Sequence, residues 1–240
     1  MEKGFVLSDL VPGYGKGQGL TSPVNAVFAG PGIHAIIGRN GQGKSTLIRT
    51  MAGLQAPVAG QVVLNGVPIT RMSAADRAVR IAFVDSTPPR GSGLTVGEVL
   101  GLARPDVTAG ECRAWLERIG APDWWSARIA ELSDGQAQRV MVARAALQGA
   151  PWLVLDEPTA FLDVPAREDL MALLGEMAEA GLALLLATHD LHLLQNNSQV
   201  KSLHLMNRSG LQPLPTAASV KDWENALRNA PPPQNNSQVK

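Results

Sequence analysis

Three clusters of residues in this chain have the types and spacing for phosphate chemistry. The first is Gly38-Arg39-Asn40-Gly41-Gln42-Gly43-Lys44-Ser45-Thr46, which fits the pattern G-x-x-x-x-G-K-[ST]. Glycines let a backbone turn tightly and approach an anion without a Cβ in the way. Successive backbone N–H groups then form an anion-binding nest at a helix N-terminus. Lys44 can reach the β- and γ-phosphates of a nucleoside triphosphate, and the Ser45 hydroxyl can bind Mg2+. The second cluster is Trp152-Leu153-Val154-Leu155-Asp156-Glu157, an apolar run ending in two carboxylates. At a strand end Asp156 can hold the water shell of Mg2+, and Glu157 can orient or deprotonate an attacking water. The third is Leu132-Ser133-Asp134-Gly135-Gln136, where Ser133 and Gln136 make a capping box. It opens a second helix whose N–H groups and hydroxyl could bind phosphate.

These residues need rigid elements behind them. Ile33–Ile37 reads as a buried strand leading into the glycine loop, and Ser45–Ala52 as the helix that follows. Leu47, Ile48 and Met51 form its apolar stripe, and Gly53 can end it. Further strands are expected at Phe5–Leu7, Val24–Phe28, Gln61–Leu64, Ile81–Val84, Trp152–Leu155 and Leu182–Ala187. The last two are each preceded by a helical stretch, the first of these being Gln136–Gln148. Continuous apolar strands alternating with helices predict a parallel, buried sheet of the α/β type. From Ser86 to Leu132 the character changes to a loop followed by two capping boxes, Thr95 with Glu98 and Thr108 with Glu111. This predicts a small helical insertion. Trp115, Trp124 and Trp125 lie in it, either as packing of a small core or as an exposed aromatic docking patch.

Bulk properties narrow the field. With 240 residues and 21 Lys+Arg against 21 Asp+Glu, the chain can bury a full core and carries no basic footprint for nucleic acid. The single cysteine, Cys112, excludes an internal disulfide and reads as a small hydrophobe rather than a nucleophile. The N-terminus runs directly into strand-like residues, so no leader is expected. The most apolar run, Leu182–Ala187, is far short of the roughly 20 residues that span a bilayer. Pro231-Pro232-Pro233 reads as an unpacked tail. Gln195–Lys201 and Gln234–Lys240 carry the same seven-residue sequence. That is too short for a repeat unit, and the duplication has no physical account.

The stretch Leu132–Asp163 resembles the ATP-binding cassette ATPases. Leu132–Gln136 is similar to their signature motif, Leu153–Glu157 to their second acidic motif, and Phe161-Leu162-Asp163 to their D-loop. Thr188-His189-Asp190 resembles the switch-histidine loop. Tyr14, in Gly13-Tyr14-Gly15, sits where the family places an aromatic that stacks on adenine. The resemblance covers about Phe5 to about Met206. It implies a P-loop NTPase with a mostly parallel sheet core, N-terminal antiparallel β strands and a small helical subdomain. One domain over 1–215 is expected, with the core at about 1–85 and 133–215 and the helical subdomain at about 86–132. A C-terminal helix and polar tail would occupy 216–240. ATP and Mg2+ are the implied cofactors.

Each motif carries an implied role. Two copies would face head to tail, with ATP on Gly38–Thr46 of one meeting Ser133, Gly135 and Gln136 of the other. Ser45 and Asp156 would hold the metal, and Glu157 would activate water. His189 would contact the γ-phosphate, Asp163 would couple the two sites, and Tyr14 would supply stacking area rather than a hydrogen bond. Two positions depart from the family pattern. Asp134 replaces a glycine and is expected to face the helix end or solvent, where a carboxylate is favoured. Ser86 stands where a glutamine usually reaches Mg2+ and the attacking water. Being shorter, it could act only through water or after loop movement.

The run Asp156–Pro165 and the Leu-Ser-Asp-Gly variant look like the importer ATPases for iron–siderophore, haem and cobalamin complexes. That resemblance implies a subunit on the cytoplasmic side of the bacterial inner membrane. It would be held by an integral-membrane permease through residues 86–132 and served indirectly by a substrate-binding protein. The alternative is a soluble, non-transport cassette ATPase, such as the iron–sulfur cluster assembly type, distinguished by its partner. Chromosome-maintenance cassettes carry long coiled coils, and no sustained heptads occur here.

Overall fold

The computed structural model describes residues 4–14, 18–89, 91–195 and 197–230. The strands are β1 (Gly4–Val11), β2 (Gly13–Tyr14), β3 (Gln18–Gly19), β4 (Val24–Ala29), β5 (Gly32–Ile37), β6 (Ala59–Leu64), β7 (Val67–Pro68), β8 (Ile81–Val84), β9 (Trp152–Asp156), β10 (Ala183–Thr188), β11 (Val200–Asn207) and β12 (Gly210–Leu214). The helices are α1 (Lys44–Met51), α2 (Ala74–Ala78), α3 (Val96–Gly101), α4 (Ala109–Arg118), α5 (Asp134–Leu147), α6 (Val164–Glu179), α7 (Leu191–Gln195) and α8 (Val220–Asn229). Every strand expected from the sequence is present, most extended by a residue or more. The hairpin β11–β12 was not anticipated, because its polar positions hide a strand that is buried only over its second half.

A six-stranded sheet in the order β12-β11-β5-β10-β9-β8 forms the middle layer. Strands β8, β9, β10, β5 and β11 pair in parallel, and β12 closes the edge antiparallel. The strands read as continuous apolar runs because both faces are covered. Alternate residues therefore enter two different cores. Ile33, Ala35, Leu153, Leu155, Leu184 and Leu186 pack toward α5 and α6, while Ile36, Val154, Leu185 and Ala187 pack with Leu47, Ile48 and Met51 of α1. A second, four-stranded antiparallel sheet, β4-β1-β6-β7, closes that second core with Phe5, Leu7, Leu10 and Phe28. Helix α1, which follows the glycine loop, is thus held between two sheets. Gly53 at φ +71 ends it, with Leu54 N–H donating to Arg49 O.

The insertion between β8 and α5 folds as predicted. Thr95 and Thr108 cap α3 and α4 with reciprocal bonds to Glu98 and Glu111. Trp115, Trp124 and Trp125 are partly buried against the core, each beneath an arginine: Arg118, Arg139 and Arg113, at 4.4, 5.0 and 4.2 Å from the ring centroids. Cys112 is buried, and burial pushes its thiol pKa up, so it behaves as a hydrophobe. Among the described residues no helix is long and apolar enough to cross a membrane. In the first copy of the duplicated segment, Asn197 and Gln199 shape the turn into β11, with Gln199 O accepting from Ile33 N–H. The second copy and Pro231–Pro233 lie outside the described residues.

Two histidines are buried between the sheets. His34 donates from Nε2 to Gly30 O, because a carbonyl can only accept; its Nδ1 then accepts from Ser202 Oγ. It stacks on Trp152, and Phe28 packs against both His34 and His204. Burial lowers the pKa of His34 and holds that of His204 at about 4. Both folded-state values lie below that of an unfolded histidine, so on acidification the unfolded chain takes up the proton first. This stability is whole above about pH 6.5 and is lost as pH falls toward about 4, by on the order of 3 kcal/mol for His204. In His204→Leu that loss disappears. The urea midpoint of the variant should therefore gain on the parent between about pH 7 and about pH 4.5. A gap that stays constant contradicts this account.

Candidate functional site

The glycine loop joins the buried strand β5 to α1. Gly43 sits at φ +93 as the N-cap of α1, a left-handed position that costs a side-chain-bearing residue about 1 kcal/mol. The turn it allows places Lys44 as the first helical residue, buried, with Nζ donating to Gly38 O at 2.9 Å. The same ammonium lies 3.0 Å from Glu157 Oε1. One residue on, Ser45 Oγ donates to Asp156 Oδ1 at 2.9 Å. Thr46 Oγ1 is 2.9 Å from the Tyr14 hydroxyl, so the tyrosine ring, 58% exposed, is tethered beside the loop. Tyr14, Leu20, Asn40, Gly41, Gly43, Lys44, Ser45, Thr46 and Glu157 line an open cleft of about 450 Å3. Arg39 is exposed and Gln42 is buried.

The two carboxylates differ sharply in environment. Asp156 ends β9, between β10 and β8, and is fully buried. Its Oδ2 has no hydrogen-bond partner. Burial pushes its pKa up to about 6 against the Ser45 hydrogen bond, with the charges of Glu157 and Asp85 adding to the rise and Arg49 opposing it. A buried, partnerless carboxylate oxygen beside a hydroxyl fits a divalent cation with its water shell. Glu157 turns out of the strand at φ +45, a left-handed conformation held by its N–H on Ala187 O. That turn brings Oε1 to Lys44 and Oε2 within 2.7 Å of His189 Nδ1. His189 itself is half-exposed at the end of β10. Asp190, next to it, accepts from Thr159 and Arg167 and so ties the loop after β9 to α6.

The third cluster lies elsewhere on the molecule. Ser133 caps α5 with the predicted box, Gln136 Oε1 accepting from Ser133 N–H and Ser133 Oγ from Gln136 N–H. Asp134 is in the first turn of that helix, where its charge complements the helix N-terminus. Gly135 is required by close approach: a Cβ there would lie 2.7 Å from Phe161 O. Asp163 caps α6, accepting from Ala166 N–H. Ser133, Gly135, Gln136 and Asp163 do not line the cleft of Lys44. Neither does Ser86, whose hydroxyl donates to Asp85.

Sequence reasoning missed Arg49, Asp85 and Gln138. Arg49 Nη2 lies 2.7 Å from both Asp85 oxygens, and the buried Gln138 donates to Asp85 O. Asp85 precedes Ser86 and follows a predicted strand, so its place at the sheet edge was legible. Its pairing across 36 residues was not.

The family profile described as ABC transporter matches residues 23–160, more than half of the chain. The chain belongs to the ABC transporter family. The cassette is 39% identical over 171 residues to the iron(3+)-hydroxamate import ATP-binding protein of Bacillus subtilis, covering 67% of this chain and 64% of that protein. It is 33% identical over 201 residues to the thiamine import ATP-binding protein of Cereibacter sphaeroides, covering 81% and 86%. It matches the structure of the ATP binding subunit of an ABC transporter with a TM-score of 0.80 at 26% identity, over 95% of this chain and 100% of the other. The cassette is therefore an ATPase of the P-loop α/β class.

Proposed function

We propose that the cassette hydrolyses ATP with Mg2+ at the cleft of Gly38–Thr46 and drives import through a separate permease. The observation that carries this reading is the convergence of Lys44, Ser45, Asp156, Glu157 and His189 within one chain of contacts. A cation for phosphate, a hydroxyl–carboxylate pair for a metal and a carboxylate for water are what the reaction requires. Ser45 and Asp156 would hold Mg2+. When bound, that ion neutralises charge developing on the phosphates.

The chain's own residues do the remainder. Backbone N–H groups of the loop and the Lys44 ammonium hold the phosphates. A γ-phosphate oxygen competes with Glu157 for that ammonium. Glu157, released, orients an attacking water and takes its proton. His189, already 2.7 Å from Glu157, is placed to donate to the γ-phosphate and to hold the carboxylate's direction. Tyr14 offers an exposed ring to the base while its hydroxyl stays on Thr46.

One of the three clusters suited to phosphate chemistry, Leu132–Gln136, lies outside the cleft, which supports a head-to-tail dimer. Ser133, Gly135 and Gln136 of a second copy would cover the γ-phosphates, with Asp163 between the two sites. In this reading the core is 1–85 and 133–215, and the helical subdomain 86–132 is the surface offered to the permease on the cytoplasmic face of the membrane. The cargo proposed is a metal chelate of the iron–siderophore, haem or cobalamin type, the group whose ATPases the run Asp156–Pro165 and the Leu-Ser-Asp-Gly variant resemble. A substrate-binding protein would serve the permease from the other side. A site completed by a second copy makes phosphate release per chain rise with chain concentration until dimers saturate. Turnover per chain that is flat from about 0.1 to about 50 μM, well either side of typical micromolar association, would refute the shared site.

A further inference from the structure

Three of the five buried polar atoms without a partner among the described residues belong to Asp156, Arg49 and Gln138. All three residues converge on one position, Asp85. Val84 pairs in register with Leu155, so Asp85 and Asp156 leave the sheet side by side at the same edge. Arg49 reaches Asp85 from α1, the helix that begins with Lys44 and Ser45, and leaves its Nε unsatisfied. Gln138 anchors the Asp85 carbonyl from α5, the helix capped by Ser133, and leaves its Oε1 unsatisfied. The ion pair itself is about 40% exposed on both sides. Exposed pairs add little to stability, so this one is poorly explained as a structural staple.

We propose that Arg49 and Asp85 are a pair of positioning charges for the cation held at Ser45 and Asp156, Asp85 strengthening cation binding and Arg49 weakening it. The reasoning is Coulombic. A carboxylate beside Asp156 adds negative potential where a doubly charged ion sits, and a guanidinium held against that carboxylate subtracts it. The pair spans from the helix of the phosphate loop to the backbone that α5 holds. Loading the cation site therefore changes the charge balance at the joint between the two helices that carry Lys44 and Ser133.

The inference rests on the cation site proposed above, and the test separates the two. The full chain is saturated with a non-hydrolysable ATP analogue and titrated with Mn2+, free ion being read by electron paramagnetic resonance. Asp85→Asn should raise the Mn2+ dissociation constant by about three- to tenfold, and Arg49→Gln should lower it by a similar factor. The double variant should return near the parent. Both single variants break the same ion pair, so a merely structural role moves them in one direction. Shifts of the same sign, or none, overturn the inference while leaving the ATPase reading intact. Failure of the parent to bind Mn2+ with the analogue overturns both. Asp85→Ser, matched for melting temperature, repeats the measurement should Asp85→Asn fail to fold.

Discussion

Replacing Lys44 with alanine is expected to abolish ATP turnover and most nucleotide affinity. The ammonium is buried, makes one hydrogen bond to Gly38 O and one ion pair to Glu157, and is the cation that the proposed site would set against the phosphates. Losing a charge-assisted contact of that kind costs affinity roughly 10- to 100-fold. Losing charge stabilisation in the transition state costs turnover a further factor on the order of 100. The substitution also leaves Glu157 with His189 as its remaining side-chain hydrogen-bond partner, at a stability cost on the order of 1–3 kcal/mol. Activity and folding must therefore be separated. Lys44→Ala combined with Glu157→Gln should regain much of the melting temperature and remain inactive. Phosphate release at the parental rate in Lys44→Ala would sink the assignment of the cleft.

Glu157→Gln is expected to stop hydrolysis while tightening ATP binding. The amide keeps the shape of the side chain and can still meet His189, but it cannot take a proton from water, which lowers turnover by roughly 100- to 10,000-fold. It also removes the carboxylate that holds Lys44 at 3.0 Å and repels an incoming γ-phosphate. ATP should then persist on the loop, and the faces carrying Ser133 and Gly135 should close on it. Sizing chromatography with saturating ATP and Mg2+ should show a dimer, and omission of either should return a monomer. A variant that stays monomeric under those conditions rules out the head-to-tail sandwich for the isolated subunit.

The two substitutions probe opposite ends of one contact, and that contact shows where sequence reading stops. The phosphate loop was legible because its chemistry is local: glycines, lysine and serine act within nine consecutive residues between a strand and a helix. Asp156 and Glu157 were legible for the same reason, as carboxylates at the end of an apolar run. Their different fates were not. Both are acids one residue apart, yet β9 buries Asp156 completely with an orphaned oxygen, while a left-handed turn swings Glu157 out to Lys44 and His189.

Local rules also gave the helix starts. The capping boxes at Thr95, Thr108 and Ser133 all form, because a side chain three residues from its backbone partner needs no tertiary information. The hairpin β11–β12 was hidden because its pairing is set by neighbours far along the chain. For the same reason no pattern announced Arg49 opposite Asp85. By itself the sequence determined a glycine loop of the phosphate-binding pattern, paired acids, a parallel α/β core and a helical insertion, since each is written in residues close together in the chain. Only the tertiary structure decided which acid is fully buried and which turns out of the strand toward Lys44 and His189. It alone set Lys44 against Glu157 and Arg49 against Asp85, and kept Ser133 and Asp163 away from the cleft. These are distances across the sheet, fixed by packing rather than by spacing along the chain.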